Sequence, residues 1–314
     1  MYLGKGMGMR SVQKTIESRI ECSGIGLHTG KEVFLSLNPL PPDSGIWFRR
    51  VDLPHKPYIK AAAENVTQTS LCTTLGNNGS GVSTVEHLMS AFAGLGIHNI
   101  LVEVDAPEIP IFDGSAQHFV ELIEKAGLKK QRASTEVFSL DERFSVSQEE
   151  KKITYYPNKE LIVSFTIDFD HPLLRKQEYT FRFSEDGFVE EISRARTFGF
   201  LKDVEAMKKC GYARGGSLEN AVVIDEDGVL NPEGLRYPNE FVRHKILDFL
   251  GDLYLYGMPV RGHFVVYKSG HTLNNQLIKA LKNGKRKKHD SISAIQKPVQ
   301  DFLSNSPEFK IFSA

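Results

Sequence analysis

Val85-Glu86-His87-Leu88-Met89-Ser90-Ala91-Phe92-Ala93-Gly94 can be laid residue for residue on Val242-Arg243-His244-Lys245-Ile246-Leu247-Asp248-Phe249-Leu250-Gly251, with Val, His, Phe and Gly coinciding. Both stretches carry apolar residues at helical intervals, and each is followed by a strand-like run and a second glycine. Gly114 lies 27 residues after His87 and Gly270 lies 26 after His244, and each introduces another helix. The matched intervals point to a duplicated domain. Working outward, strand-like runs at Val33 to Leu37 and Ile100 to Val104 flank a helix from about Ser83 to Gly94, and a second helix runs from about Ala116 to Ala126. In the second half Lys152 to Tyr156, Leu161 to Ile167 and Tyr179 to Phe183 read as strands, ahead of helices at about Glu240 to Leu255 and Leu273 to Lys282. Strands first and helices later, with no Gly-rich phosphate loop opening either half, predicts α+β rather than a doubly wound parallel sheet. The polar stretch Lys129 to Thr135 reads as the seam, which divides the chain into residues 1–133, 134–290 and a tail at 291–314.

The composition narrows the function classes. With 314 residues, 40% of them hydrophobic and 25% charged, the chain can bury cores of its own, which excludes a disordered chain or a disulfide-held miniprotein. Lys plus Arg equals Asp plus Glu at 39 each, so the cationic excess behind nucleic-acid binding is missing and no nucleic-acid partner is expected. The one basic run, Lys282 to His289, is read as a solvated face or tail, with association with an anionic membrane surface as the lesser alternative. Cys22, Cys72 and Cys210 form no Cys-x-x-Cys pair and are odd in number, which suits a reducing compartment. No apolar stretch reaches the roughly 20 residues of a membrane helix and no signal-peptide core opens the chain. A cytoplasmic protein without a membrane span is expected.

The chemistry gathers on the repeated helices. His244 and Asp248, four apart, project from one helical face, and Asp252 continues the stripe. Imidazole and carboxylate are both zinc ligands, although such a pair alone reads at least as well as a solvated polar face. His87, at the matching place in the other helix, would add a third ligand. Three protein ligands leave a fourth tetrahedral position for water, which is the catalytic type of zinc site. Glu86 precedes His87 and so can sit beside a metal without binding it, as a general base would; the bland reading is a Glu on an exposed turn. His271, in Ser269-Gly270-His271-Thr272, and His28, in Gly24-Ile25-Gly26-Leu27-His28-Thr29-Gly30, sit at Gly-marked turns that can aim a side chain into a pocket. For His28 a turn histidine without a role stays equally open.

Six segments together resemble the UDP-3-O-acyl-N-acetylglucosamine deacetylase family of lipid A synthesis: Gly24 to Gly30, Ser83 to Leu88, Pro107-Glu108-Ile109-Pro110 with Asp113-Gly114-Ser115, Ser193 to Phe200, Phe241 to Asp252, and Lys268 to Asn275. They occur in order over about residues 12 to 282. The resemblance implies two similar domains, each a sheet with two helices, packed helix layer to helix layer with the active site between them. It implies Zn2+ on His87, His244 and Asp248, and an acylated UDP-glucosamine as the small-molecule substrate. By position Glu86 is similar to the general base, His271 to the general acid and Thr197 to the oxyanion donor, with Lys245 and Asp252 orienting substrate and His271. Phe169 stands where an aromatic stacks on uracil, and Lys245 and Lys268 where charge meets the diphosphate. A βαβ insert at about 198–227 would form an apolar passage for the acyl chain, lined by Phe198, Leu201, Val204, Ala213 and Val223. A monomer is expected, and the length leaves no room for the dehydratase fused to some members. Two rival readings are a metal-dependent deacylase of another acylated sugar nucleotide and a catalytically silent sugar-nucleotide-binding protein. The silent one is disfavoured by the presence of Glu86, His87, His244, Asp248 and His271 together.

Overall fold

The computed structural model describes residues 10–76 and 79–288, of which 284–288 are described by backbone alone. The tail from 291 and most of the basic run therefore lie outside the described side chains. By its internal contacts the chain divides into Met1–Lys279 and Ala280–Ala314, and every strand belongs to the first of these units.

The first half contains β1 (Arg10–Ile16), β2 (Ile20–Ile25), β3 (Glu32–Pro39), β4 (Ile46–Arg50), β5 (Tyr58–Lys60), β6 (Val66–Gln68), β7 (Thr74–Leu75), α1 (Glu86–Leu95), β8 (Ile100–Val104) and α2 (Gln117–Ala126). After β9 (Leu128–Glu136) come β10 (Phe144–Gln148), β11 (Lys151–Tyr156), β12 (Leu161–Ile167), β13 (Gln177–Arg182), the short α3 (Glu185–Gly187), β14 (Phe198–Phe200), α4 (Leu201–Lys209), β15 (Val222–Ile224), α5 (Glu240–Tyr254), β16 (Gly262–Tyr267) and α6 (His271–Lys288). Two five-stranded sheets result, ordered β2-β3-β8-β4-β5 and β10-β11-β16-β12-β13. Their topologies are identical. In each, the strand following the long helix enters the middle, antiparallel to one neighbour and parallel to the other. A parallel neighbour requires a crossover, and α1 and α5 provide it.

The two halves meet through these crossover helices. α5 is buried nearly all round because one face packs on α1 and the other on β12 and β13. α2 is amphipathic, burying Phe119, Val120, Ile123 and Ala126. The glycines matched by the repeat mark the closest approaches. A Cβ on Gly251 would lie 2.0 Å from the Glu86 carbonyl oxygen, and one on Gly94 would lie 2.0 Å from the ring of Phe188. Each repeat thus carries its glycine where it touches the other half.

The element limits differ from expectation at places with physical causes. α1 begins at Glu86 rather than Ser83, because Thr84 takes a left-handed φ of 57° that no helix continues through. α6 begins at His271, so that residue is the first of the helix and not part of the preceding turn. The polar stretch 129–135 is strand, paired antiparallel with β1, and the expected division at 133/134 falls inside it. β9 is largely open to solvent, and β1 buries the polar Gln13 and Thr15 beside Ile16, so the composition of the ribbon imitates a linker. β14, α4 and β15 form the βαβ excursion, with β14 and β15 parallel.

Candidate active site and metal centre

A cleft of about 600 Å³ opens where α1 and α5 cross, lined by residues of both helices, the Leu27–His28 turn, the β14–α4 segment and the start of α6. His87 and Glu86 enter it from the first turn of α1, His244 and Asp248 from one face of α5, and His271 from the first turn of α6. Glu86 is buried, which excludes the exposed-turn reading.

One donor atom from each of His87, His244 and Asp248 lies within 4.8 Å of the others, all buried. Asp248 Oδ1 is 3.5 Å from His87 Nε2 and 3.4 Å from His244 Nε2. The Ala195 carbonyl oxygen, 3.0 Å from His244 Nδ1, accepts the proton there and leaves Nε2 with its lone pair. Ala195 is held by its neighbour: the buried Arg196 guanidinium and backbone N–H donate to Glu240, the first residue of α5. Burial brings the His244 pKa down to about 3, so the ring is neutral. Burial raises Asp248, but His244 and Lys245 outweigh it and hold the carboxyl well below the usual carboxylate range. Lys245 Nζ donates to its second oxygen at 2.6 Å. Buried acceptor atoms facing one another repel unless a cation lies between them. The residues present therefore fit a divalent metal.

Beside the donor set lies a chain of proton-handling groups. Glu86 Oε1 is 3.7 Å from His271 Nε2. His271 Nδ1 donates to Asp252 Oδ2 at 2.8 Å, and Asn274 Nδ2 donates to the same oxygen at 2.8 Å. Burial lowers the His271 pKa, but the Asp252 and Glu86 carboxylates more than offset it and raise it to about 9, so the ring is an imidazolium at neutral pH. Burial pushes the Glu86 carboxyl above its ordinary range, against the pull of His271 and His87.

Thr197, Phe198, Lys245 and Phe169 also line the cleft. Thr197 is fixed by its backbone N–H on the Gly114 carbonyl and by its own carbonyl on the Val222 N–H, each at 2.8 Å. Phe169 meets Phe198 edge to face. Lys268 stands off the cleft, donating to Glu150 at 3.0 Å and 3.7 Å from Asp168, the neighbour of Phe169. Leu201, Val204, Ala213 and Val223 are not among the lining residues. The face of α4 turned to the cleft carries Asp203 and Met207, one turn apart, whereas Leu201 is 46% exposed and Val204 lies off that face. Ala213 is buried in the loop against the His28 ring nitrogen, and Val223 N–H is bound by Asn231.

Sequence reasoning missed Thr73, Asn274 and the structural role of Glu108. Buried Glu108 accepts from His28 N–H, Thr29 N–H and the hydroxyls of Thr29 and Thr84, and so carries the turn that brings His28 to the cleft. Asn274 follows His271 by three on α6, a spacing that would have placed it on the same face. Thr73 has no local signal.

The family model described as UDP-3-O-acyl N-acetylglycosamine deacetylase matches residues 13–283. The chain belongs to that family. Among similar proteins, the UDP-3-O-acyl-N-acetylglucosamine deacetylase of Myxococcus xanthus (strain DK1622) is 51% identical over 267 residues, covering 85% of each chain. Those of Teredinibacter turnerae and Pseudomonas entomophila, with the same name, are 52% and 51% identical over 271 residues, covering 86% of this chain and 89% of theirs. Deacetylase membership makes the chain a hydrolase, in agreement with a cleft that gathers a metal donor set, a carboxylate and an imidazolium. Among the described residues no helix is long and apolar enough to cross a membrane.

Proposed function

We propose that this chain hydrolyses the N-acetyl group of UDP-3-O-acyl-N-acetylglucosamine, giving the free amine and acetate, the deacetylation step of lipid A biosynthesis, with one zinc ion held by His87, His244 and Asp248. The observation that carries the reading is the convergence of those three donors, from both halves, beside Glu86 and His271 in one cleft. Zinc, when bound, supplies Lewis acidity that polarises the acetyl carbonyl and acidifies water. Glu86 takes a proton from the attacking water as the new C–O bond forms. The Thr197 hydroxyl donates to the oxyanion that develops on the carbonyl oxygen. His271 Nε2 then gives its proton to the nitrogen as the C–N bond breaks. A raised imidazolium pKa keeps that proton available at neutral pH, and Asp252 holds the ring by its other nitrogen. Phe169 offers an aromatic face to uracil, Lys245 and Lys268 offer charge to the diphosphate, and the Met207 side of α4 with Leu27 and Leu71 offers apolar wall to the acyl chain.

The test is acetate release from the purified protein together with its metal content. Wild type is expected to hold one equivalent of zinc; Glu86→Gln keeps it but loses roughly 10² to 10⁴-fold in kcat. Each of His87→Ala, His244→Ala and Asp248→Ala is expected to lose metal. Full metal occupancy in all three, or unchanged turnover in Glu86→Gln, would overturn the assignment.

A further inference from the structure

Among the described residues, the Asp252 carboxylate accepts three hydrogen bonds. Two come from α6, from His271 and Asn274, and share Oδ2. The third, on Oδ1, comes from the Thr73 hydroxyl at 2.7 Å, across 179 residues of chain and from the other half of the fold. The same residue's backbone N–H donates to Glu86 Oε2 at 3.0 Å, and its carbonyl accepts from Val85 N–H at 3.3 Å. Thr73 is 1% exposed. One buried residue therefore binds both the carboxylate that faces the metal donors and the carboxylate that holds His271.

The consequences for the two carboxylates differ. The N–H on Glu86 Oε2 anchors that oxygen and leaves Oε1 turned toward His271 Nε2. The hydroxyl on Asp252 Oδ1 fixes the plane of the carboxylate, since its other oxygen already carries two donors and could otherwise pivot about them. The direction of the His271 ring then follows from Asp252. Second-sphere partners of this kind matter because the groups they orient must stay within a few tenths of an ångström of their working positions.

We propose that Thr73 is a positioning residue that sets the base and the acid against each other and fixes the separation of Glu86 from His271. This rests on the reading of Glu86 as base and His271 as acid. Thr73 is not among the residues lining the cleft, and reaches it through Glu86 and Asp252.

Two substitutions separate the hydroxyl from the shape. Thr73→Val keeps the branched shape and the backbone N–H but removes the donor to Asp252; Thr73→Ser keeps the donor and removes the methyl. The expected result is a fall of about tenfold to a hundredfold in kcat for Thr73→Val, with KM and zinc content retained, and recovery of most of that loss in Thr73→Ser. The Nδ1 proton resonance of His271, followed in protein labelled with 15N-histidine, shifts in Thr73→Val and stays in place in Thr73→Ser. A space-filling residue would give the reverse order, with Val tolerated and Ser impaired, and that order would overturn the proposal. So would loss of zinc in Thr73→Val, or a His271 resonance that does not move. Glu86→Gln and His271→Ala run beside them: if those two keep their turnover, the base and acid reading fails, and Thr73 has nothing to position.

Discussion

His271 shows how neighbours can reverse the effect of burial on one side chain. Taken alone, a buried imidazole should lose its proton, yet two carboxylates within reach hold its pKa at about 9 against an ordinary 6.5. A group whose folded pKa is raised stabilises the fold fully below its unfolded pKa and loses that contribution as pH climbs through the folded one. Metal-free protein should therefore lose up to about 3 kcal/mol of stability between pH 6.5 and pH 9 from this residue. His271→Gln should lack that fall, which urea denaturation at stepped pH would show. Parallel stability profiles for wild type and variant across this window would contradict the charged imidazolium. The His244–Asp248 pair was legible from residue spacing, because a His and a carboxylate four apart on a helix need no tertiary information to share a face, whereas His87 joined them only through its matching place in the repeated stretch. Thr73 was not legible, since its partner lies 179 residues away and Leu71-Cys72-Thr73-Thr74 carries no pattern.

At the scale of elements, the crossing of α1 and α5 is governed by Gly251. In an unpacked helix Gly→Ala stabilises by about 1 kcal/mol. Here the new Cβ would sit 2.0 Å from the Glu86 carbonyl oxygen, a backbone atom that cannot rotate away, so the helices would have to separate. Overpacking of this sort costs about 1 to 3 kcal/mol, and the penalty outweighs the propensity gain. Gly251→Ala should therefore lower the denaturation midpoint and weaken zinc binding, because the separated helices carry different ligands. A midpoint at or above that of wild type would show the crossing to be looser than described. The glycine coincidence in the repeated stretches was visible in the sequence, but its meaning was not, since only the packed helices show what each glycine meets. α4 was unreadable for a different reason. Leu201, Val204 and Met207 recur at three-residue intervals, but the helix buries none of them, so that stripe does not tell which side of α4 the cleft takes.

On the scale of the whole molecule, the proposed metal ties together two halves of the same topology, with His87 from the first and His244 and Asp248 from the second. A ligand that binds only the folded state stabilises by about 4 kcal/mol at a free concentration a thousand times its Kd. Zinc added to chelator-treated protein should raise Tm accordingly, and Asp248→Ala should abolish the response. A Tm indifferent to zinc in wild type would mean that the halves are joined without it. The duplicated layout was legible because matched intervals between His and Gly survive where individual residues differ. The β1–β9 ribbon was not, because β9 faces solvent and β1 buries the polar Gln13 and Thr15, so neither strand shows the apolar alternation that would announce it. The placing of the last-made strand at the centre of each sheet bears on how the chain is born. Until Gly262–Tyr267 has left the ribosome, β11 and β12 each present an unpaired inner edge. Such edges template aggregation. The nascent second half thus depends for its solubility on a strand that arrives more than a hundred residues after the first of the two edges it must close.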